Sequence, residues 1–270
     1  MINLGKNYWD GMITLSSSAQ KYHTSEEIRC PYDRNPINLT IFVSCYNEEE
    51  FIEDTLEVIV KAMSAVDITY EIIVIDDCSK DNSVALVQQY IQEHPEINLI
   101  LRVNKQNKGL AQNYVDGAFI GVGKYYRLIC GDNAEPIETI VSVMKMIGEA
   151  DIIVPYYVSA QGKSFFRRSV SKVYTKIINF FSGHKMNYYN GLQIHLRYNV
   201  MRWHPNTRGF AFQAGLLCLL MDMGFTYKQI PCITIERRGG CGNAITWKNL
   251  CSVMHTIISI LLRRFKIRFF

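Results

Sequence analysis

The run YEIIVIDDCSKDNS, residues 70–83, sets the terms on which the rest of the chain is read. Ile72 to Ile75 is a β-branched stretch without polar alternation, the pattern of a strand covered on both faces. It drives straight into Asp76 and Asp77 and then into small polar residues. The strand therefore ends on acids, at the tip where α/β proteins usually hold ligands.

Working outward, the same syntax repeats. Upstream, LTIFVSCYN (39–47) is a strand ending in polar residues. EEEFIEDTLEVIVKAMSAV follows, with Phe51, Ile52, Leu56, Ile59, Val60 and Met63 at helical spacing. Downstream come the helix VALVQQYIQEH, the strand INLILRVN, the loop and helix NKGLAQNYVDGAFIGV, and the strand YYRLIC, which runs into GDNAEP (131–136). Strand and helix alternate four times, which predicts a mostly parallel sheet built from right-handed crossovers. Further along, IETIVSVMKMIGEA reads as a helix, DIIVPYY as a short strand and GKSFFRRSVSKVYTKIINFFSG as an amphipathic helix. GLQIHLRYNV is a strand or turn, FQAGLLCLLMDMG a buried helix and TYKQIPCITIE a late strand. The expected organisation is an extension over 1–38, one α/β domain over 39–245 and a basic amphipathic helix over 246–270.

The chain has 270 residues, 48% of them hydrophobic and 20% charged, enough for a sizeable core. Its eight cysteines form no C-x-x-C pair and no zinc-spaced cluster, which points to a reducing compartment. The first residues lack a basic segment followed by an apolar one, and no stretch reaches about 18 consecutive apolar residues, so neither a signal peptide nor a spanning helix is expected. Lys248, Arg263, Arg264, Lys266 and Arg268 more than account for the net charge of +4, leaving residues 1–245 at −1. A nucleic-acid-binding face on the main domain is thereby disfavoured.

Three polar clusters fall at three predicted strand ends: Tyr46, Asn47 and Glu48; Asp76, Asp77 and Ser79; Asp132, Asn133 and Glu135. In a parallel sheet those ends share one edge. Neither G-x-G-x-x-G nor a P-loop occurs. Carboxylates there can bond a base and ribose, or hold a divalent cation that in turn holds a diphosphate.

VSCYNEE (43–49), VIDDCSKDNS (74–83), NKGLAQN (107–113) and GDNAEP (131–136) together resemble the motif series of family 2 nucleotide-sugar glycosyltransferases with the GT-A fold, closest to the dolichol/polyprenyl-phosphate sugar synthases. The resemblance covers residues 39 to about 243. It implies a metal-dependent inverting transfer of a sugar from a nucleotide-sugar donor. Ser44, Tyr46, Glu48, Asp76, Asp77, Asn107 and Gly109 would line the nucleotide site, with Asp77 bonding the base and Asp76 bracing the loop. Asp132 would hold Mg2+ or Mn2+. Cys130 stands where the family's D-x-D has its first aspartate, so Glu135 is expected to share the metal. Gln193, in NGLQ, stands where the synthases carry an arginine.

A departing diphosphate needs positive charge, which arginine supplies bidentately. Arg167 or Arg168, Arg197, and Arg237 or Arg238 are the candidates, with Arg168 and Arg197 assigned to the catalytic set and Arg237 to the nucleotide. Many relatives carry a carboxylate pair at the head of the helix that here reads Gln213, Ala214, Gly215. An acceptor that is already anionic needs no general base. The missing pair therefore favours a polyprenyl phosphate over a glycan or glycolipid hydroxyl; His195 and His204 are the alternative bases. Trp247, Leu250, Cys251, Met254, Ile257, Ile258 and Leu261 form one stripe with a basic end, suited to the cytoplasmic surface of a membrane. The alternatives are a core or homodimer helix, and for the whole chain a catalytically silent nucleotide-binding domain.

Overall fold

The computed structural model describes residues 37–161, 165–204, 211–235 and 247–269, with side chains described except at 159–161, 165–168, 247–252 and 265–269. In chain order the elements are β1 (Leu39–Cys45), α1 (Ile52–Met63), β2 (Tyr70–Asp76), α2 (Ser83–Glu93), β3 (Leu99–Val103), α3 (Leu110–Ile120), β4 (Tyr125–Cys130), α4 (Ile137–Met144), β5 (Ile152–Gln161), α5 (Phe165–Ser182), β6 (Ile194–Leu196), α6 (Arg197–Met201), α7 (Phe212–Asp222), β7 (Tyr227–Ile235) and α8 (Trp247–Phe269).

The strands form one sheet in the order β3-β2-β1-β4-β6-β5-β7. β1, β2, β3 and β4 pair in parallel, as do β5 and β7, while β6 runs antiparallel to both its neighbours. The mostly parallel sheet expected from the alternating pattern is what forms.

Side chains of the central strands alternate between two cores. Leu39, Ile41 and Val43 of β1 join Ile72 and Val74 of β2 against one layer, to which α1 contributes Ile52, Leu56, Ile59 and Met63. Phe42, Ile73, Ile75 and Leu128 face the other layer, filled by Tyr114 and Ala118 of α3, Phe212, Leu216 and Leu217 of α7, and Ile257 and Ile260 of α8. Leu39, Ile41, Val43 and Cys45 of β1 meet one core and Phe42 the other, so the strand is covered on both faces.

The chain runs outward from β1 through β2 to β3, then crosses to the other side of β1 to lay down β4. The order reverses between β1 and β4, and ligands of open α/β sheets bind outside the carboxyl ends of strands at such a reversal.

α8 divides differently from the expected stripe. Ile257 and Ile260 are buried, whereas Met254, Ile258 and Leu262 lie exposed. Two faces exist where one was expected: one seals the core and the other points outward. Of the basic end, Arg263 Nε donates to Asp222 Oδ2 at 2.8 Å and Arg264 Nη1 to the Phe181 carbonyl at 3.0 Å.

Candidate active site

Three loops leave the carboxyl edge side by side, and each contains one non-glycine residue in the left-handed region: Asn47 (φ 54°) after β1, Cys78 (φ 69°) after β2 and Asn133 (φ 51°) after β4. Among the described residues these are the only three. Such conformations cost free energy, are held by their surroundings, and gather at functional sites.

Here the surroundings are hydrogen bonds between loops. The Asn47 amide donates to Ser79 Oγ at 2.9 Å, Lys80 N to Asn47 Oδ1 at 2.8 Å, and the Glu48 amide to Ser83 Oγ at 2.9 Å. Asp76 accepts from the Ser79 amide at 3.0 Å and from the Ser79 hydroxyl. Asp77 does more than the sequence implied. Its Oδ1 accepts from Asn104 Nδ2 at 3.0 Å and the Lys108 amide at 2.8 Å, and its Oδ2 from the Gly109 amide at 2.8 Å. Asn107 Nδ2 donates to the Asp77 carbonyl at 3.2 Å. Asp77 thus draws the 107–109 turn onto the tip of β2, and Gly109 takes the positive φ of 84° that this turn requires. Burial works against ionisation of Asp77, but donors from Asn113, Lys108, Asn104 and Gly109 prevail and hold its carboxyl below the ordinary value of 3.8.

The third loop is set against β1. Gly131 N donates to the Ser44 carbonyl at 2.9 Å, and a Cβ on Gly131 would lie 2.8 Å from that oxygen, so only glycine lets the tips approach this closely. Thr55 Oγ1 of α1 donates to the Gly131 carbonyl at 3.0 Å and accepts from Asn133 N at 3.1 Å. On the far side Ile235 N and Thr234 Oγ1 both donate to the Ala134 carbonyl, at 3.0 and 3.1 Å. Asp132 is therefore presented from a loop pinned by β1, α1 and β7. Tyr46, 48% exposed, stands on the rim of the same edge.

Cys130 is a neutral thiol. Burial pushes it well above its ordinary range and the negative charges of Asp132, Glu135 and Glu48 push the same way, against a hydrogen bond with Ser44. A protonated thiol is a poor ligand for hard cations.

Two assignments are corrected. Glu135 is not presented to a metal: its carboxylate is buried, and Arg127 Nη2 donates to both its oxygens, at 2.9 and 3.0 Å. Arg197 is at the wrong edge. Its Nε donates to the Gly123 carbonyl at 2.7 Å and its Nη1 to the Ala118 carbonyl at 2.8 Å, ahead of β4. The length of β4, roughly 20 Å for six residues at about 3.3 Å each, separates it from Asp132. Arg168 lies on α5 with its side chain outside the described residues, and Arg237 lies outside them altogether. His195 is buried, its Nε2 3.0 Å from Gln193 Oε1, and burial drives it down to about 3, which removes it as a base reached by substrate. His204 is exposed.

At the head of α7, the Gln213 amide is satisfied when its nitrogen is the end that faces the carbonyl oxygens of Asn190 and Gly191, 3.2 Å from each. The slot of the missing carboxylate serves to hold a turn. Arg127 is the residue the sequence reading passed over; an arginine inside YYRLIC was itself the signal, since an unpaired charge is rarely buried in a strand.

Among the described residues, no group of three or more His, Cys, Asp or Glu side chains is arranged to hold a metal ion. Asp132 alone fits the way Mg2+ is bound through one or two carboxylates together with substrate phosphates.

Residues 40–204 match the model of the family described as glycosyl transferase family 2. Over 110 residues the chain is 34% identical to a dolichyl-phosphate beta-glucosyltransferase of Dictyostelium discoideum, covering 38% of this chain and 34% of that protein. It is 26% identical over 153 residues to an undecaprenyl-phosphate 4-deoxy-4-formamido-L-arabinose transferase of Proteus mirabilis, covering 56% of this chain and 46% of that protein. The matches thus span less than half the length of these relatives. Glucosyl-3-phosphoglycerate synthase from Mycobacterium tuberculosis, solved with Mn2+, UDP and phosphoglyceric acid, superposes with a TM-score of 0.63 at 15% identity, covering 90% of this chain and 84% of that one. The architecture is the GT-A fold.

Proposed function

The chain belongs to glycosyl transferase family 2, and on that premise we propose that it transfers a sugar, with inversion, from a nucleotide-sugar donor to a polyprenyl phosphate. The observation that carries the reading is the convergence of three strained, interlaced loops bearing Glu48, Asp77 and Asp132 on the edge where the strand order reverses. Names of relatives that act on dolichyl and undecaprenyl phosphate support the acceptor class.

The nucleoside lies across the tips of β1 and β2, where Tyr46 offers a ring to the base and Asp77 holds the 107–109 turn in place. Asp132 would hold Mg2+ or Mn2+, which when bound would supply positive charge to the diphosphate. An oxygen of the acceptor phosphate attacks the anomeric carbon opposite the nucleotide. The bond from that carbon to the β-phosphate oxygen breaks, and its electron pair leaves with the nucleoside diphosphate. Arg168 and Arg237 are the candidates to meet that charge. No proton need be removed from a phosphate, which agrees with a Gln213 engaged to backbone carbonyls where a base would stand.

Mass-spectrometric screening of nucleotide-sugar donors against a short-chain polyprenyl phosphate tests this. A sugar-phosphate lipid is expected, and Asp132→Ala should lose at least 100-fold in rate, in line with removal of one transition-state contact. Transfer to a soluble sugar hydroxyl with none to any polyprenyl phosphate would replace the acceptor assignment. Binding of a nucleotide with no turnover on any acceptor would favour a silent domain.

A further inference from the structure

Arg127 lies in the middle of β4 with no side-chain exposure, and it bridges two segments that the fold brings to the same edge. On one side Nη2 holds both oxygens of Glu135, three residues beyond Asp132. On the other, Nε donates to the Leu192 carbonyl at 3.2 Å. Tyr157 of β5 also bonds the Glu135 carboxylate, and its ring meets Tyr188 edge-on with centroids 5.6 Å apart. The connection therefore leaves the Asp132 loop and lands twice on the turn formed by residues 188–193.

That turn is held from within. Gln193 Nε2 donates to the Tyr189 carbonyl at 2.6 Å, and Gln213 bonds the next two carbonyls, so with Arg127 on Leu192 four consecutive carbonyl oxygens accept from buried side chains. β6 runs antiparallel to β4 with Arg127 opposite Ile194. Followed backward from Ile194, the chain heads toward the carboxyl end of β4.

Replacing a buried ion pair with apolar or neutral groups is often neutral or stabilising, so stability alone does not account for this one. Arg127 Nη1 is moreover buried without a hydrogen bond among the described residues. We propose that Arg127 is a positioning residue that fixes the Asp132 loop against the 188–193 turn, and with it the spacing between the donor diphosphate and the incoming acceptor. The proposal rests on the transferase reading for its consequence, but the mechanical linkage stands apart from it.

The test uses the full chain carrying Arg127→Met together with Glu135→Gln, which removes both charges, keeps the shape of Glu135 and leaves an apolar side chain in place of the arginine stem. Hydrogen exchange by mass spectrometry should show segments 131–136 and 189–193 losing protection together while β1 and β2 keep theirs. Transfer to polyprenyl phosphate should fall about 100-fold, the scale of a 1 Å misplacement, with nucleoside diphosphate affinity in the absence of metal at the wild-type value. Wild-type exchange in both segments, or wild-type transfer in a variant that exchanges faster, overturns the proposal. Should the double variant fail to fold, Arg127→Lys decides: lysine keeps a charge opposite Glu135 but lacks the second nitrogen that reaches Leu192, so faster exchange is expected at 189–193 alone, and unchanged exchange there refutes the bridge. A wild-type enzyme inactive with every polyprenyl phosphate would defeat the acceptor reading while leaving the exchange experiment to judge the linkage.

Discussion

Asp77 is only 5% exposed, yet its carboxylate collects three hydrogen bonds, two of them from backbone amides of a turn some thirty residues away. Asp77→Asn keeps the shape but sets an NH2 group against those amides. A loss of about 1–3 kcal/mol is expected, the usual cost of leaving a buried donor unsatisfied. Since the folded carboxyl titrates below 3.8, its contribution is complete above that pH and is lost as pH falls through the lower folded value. Urea midpoints at pH 7 and pH 3 check this: the wild type should lose more stability than Asp77→Asn between the two, and equal losses would remove the ionised carboxylate from the account. The acids at the strand tips were legible because each interrupts an apolar run. What each acid touches was not, because partners such as Arg127 for Glu135 and the 107–109 amides for Asp77 are set by tertiary approach. Glu135 illustrates the difference: the resemblance implied it as a second ligand in place of Cys130, whereas the desolvation of a fully buried carboxylate demands the cation that β4 supplies.

At the level of elements, α8 shows why a single apolar stripe misled. Residues 254, 258 and 262 and residues 257 and 260 lie on adjacent helical faces that the sequence does not separate, and only packing against α5 and α7 tells which is inside. Removing the whole helix would open the core and test nothing about membranes. The sharper experiment is Met254→Gln, Ile258→Gln and Leu262→Gln together, with Val170, Val173 and Ile177 of the neighbouring α5 left exposed as they are. The triple variant should melt within a few degrees of wild type, because exposed positions change stability little. Its binding to vesicles containing anionic lipid should fall at least several-fold, since each buried apolar side chain contributes about 1.5–3 kcal/mol. Unchanged vesicle binding excludes this face as the membrane contact. A wild-type dimer in sedimentation that the three substitutions dissociate would assign the face to a second copy instead. The three-residue β6 was likewise beyond the sequence: too short for a periodic signal, it is fixed as a strand only by the backbones of β4 and β5 on either side.

Across the molecule, the left-handed non-glycine positions among the described residues gather at the edge where the sheet order reverses and are tied down with bonds that cross between loops. The parallel sheet could be anticipated from four strand–helix alternations through the crossover rule, but the place where the strand order reverses could not. Nor could the interlacing, since Ser83 and Thr55 gave no signal beyond ordinary loop and helix residues and nothing told which partner Ser79 would meet. An edge built this way is already shaped for its ligand, so binding should stabilise the folded chain without large rearrangement. A nucleoside diphosphate at 100 times its dissociation constant adds about 2.7 kcal/mol, which in a chain of this size raises the melting temperature by roughly 5–10 °C. Scanning fluorimetry with the five common nucleoside diphosphates, each with and without Mn2+, should single out one base and show a larger rise with the ion. In Asp132→Ala the nucleotide alone should still raise the melting temperature, because the tips of β1 and β2 are intact, while the increment from Mn2+ should vanish. A metal increment of wild-type size in that variant would move the cation away from Asp132, and no rise with any nucleotide would empty the carboxyl edge of its proposed occupant.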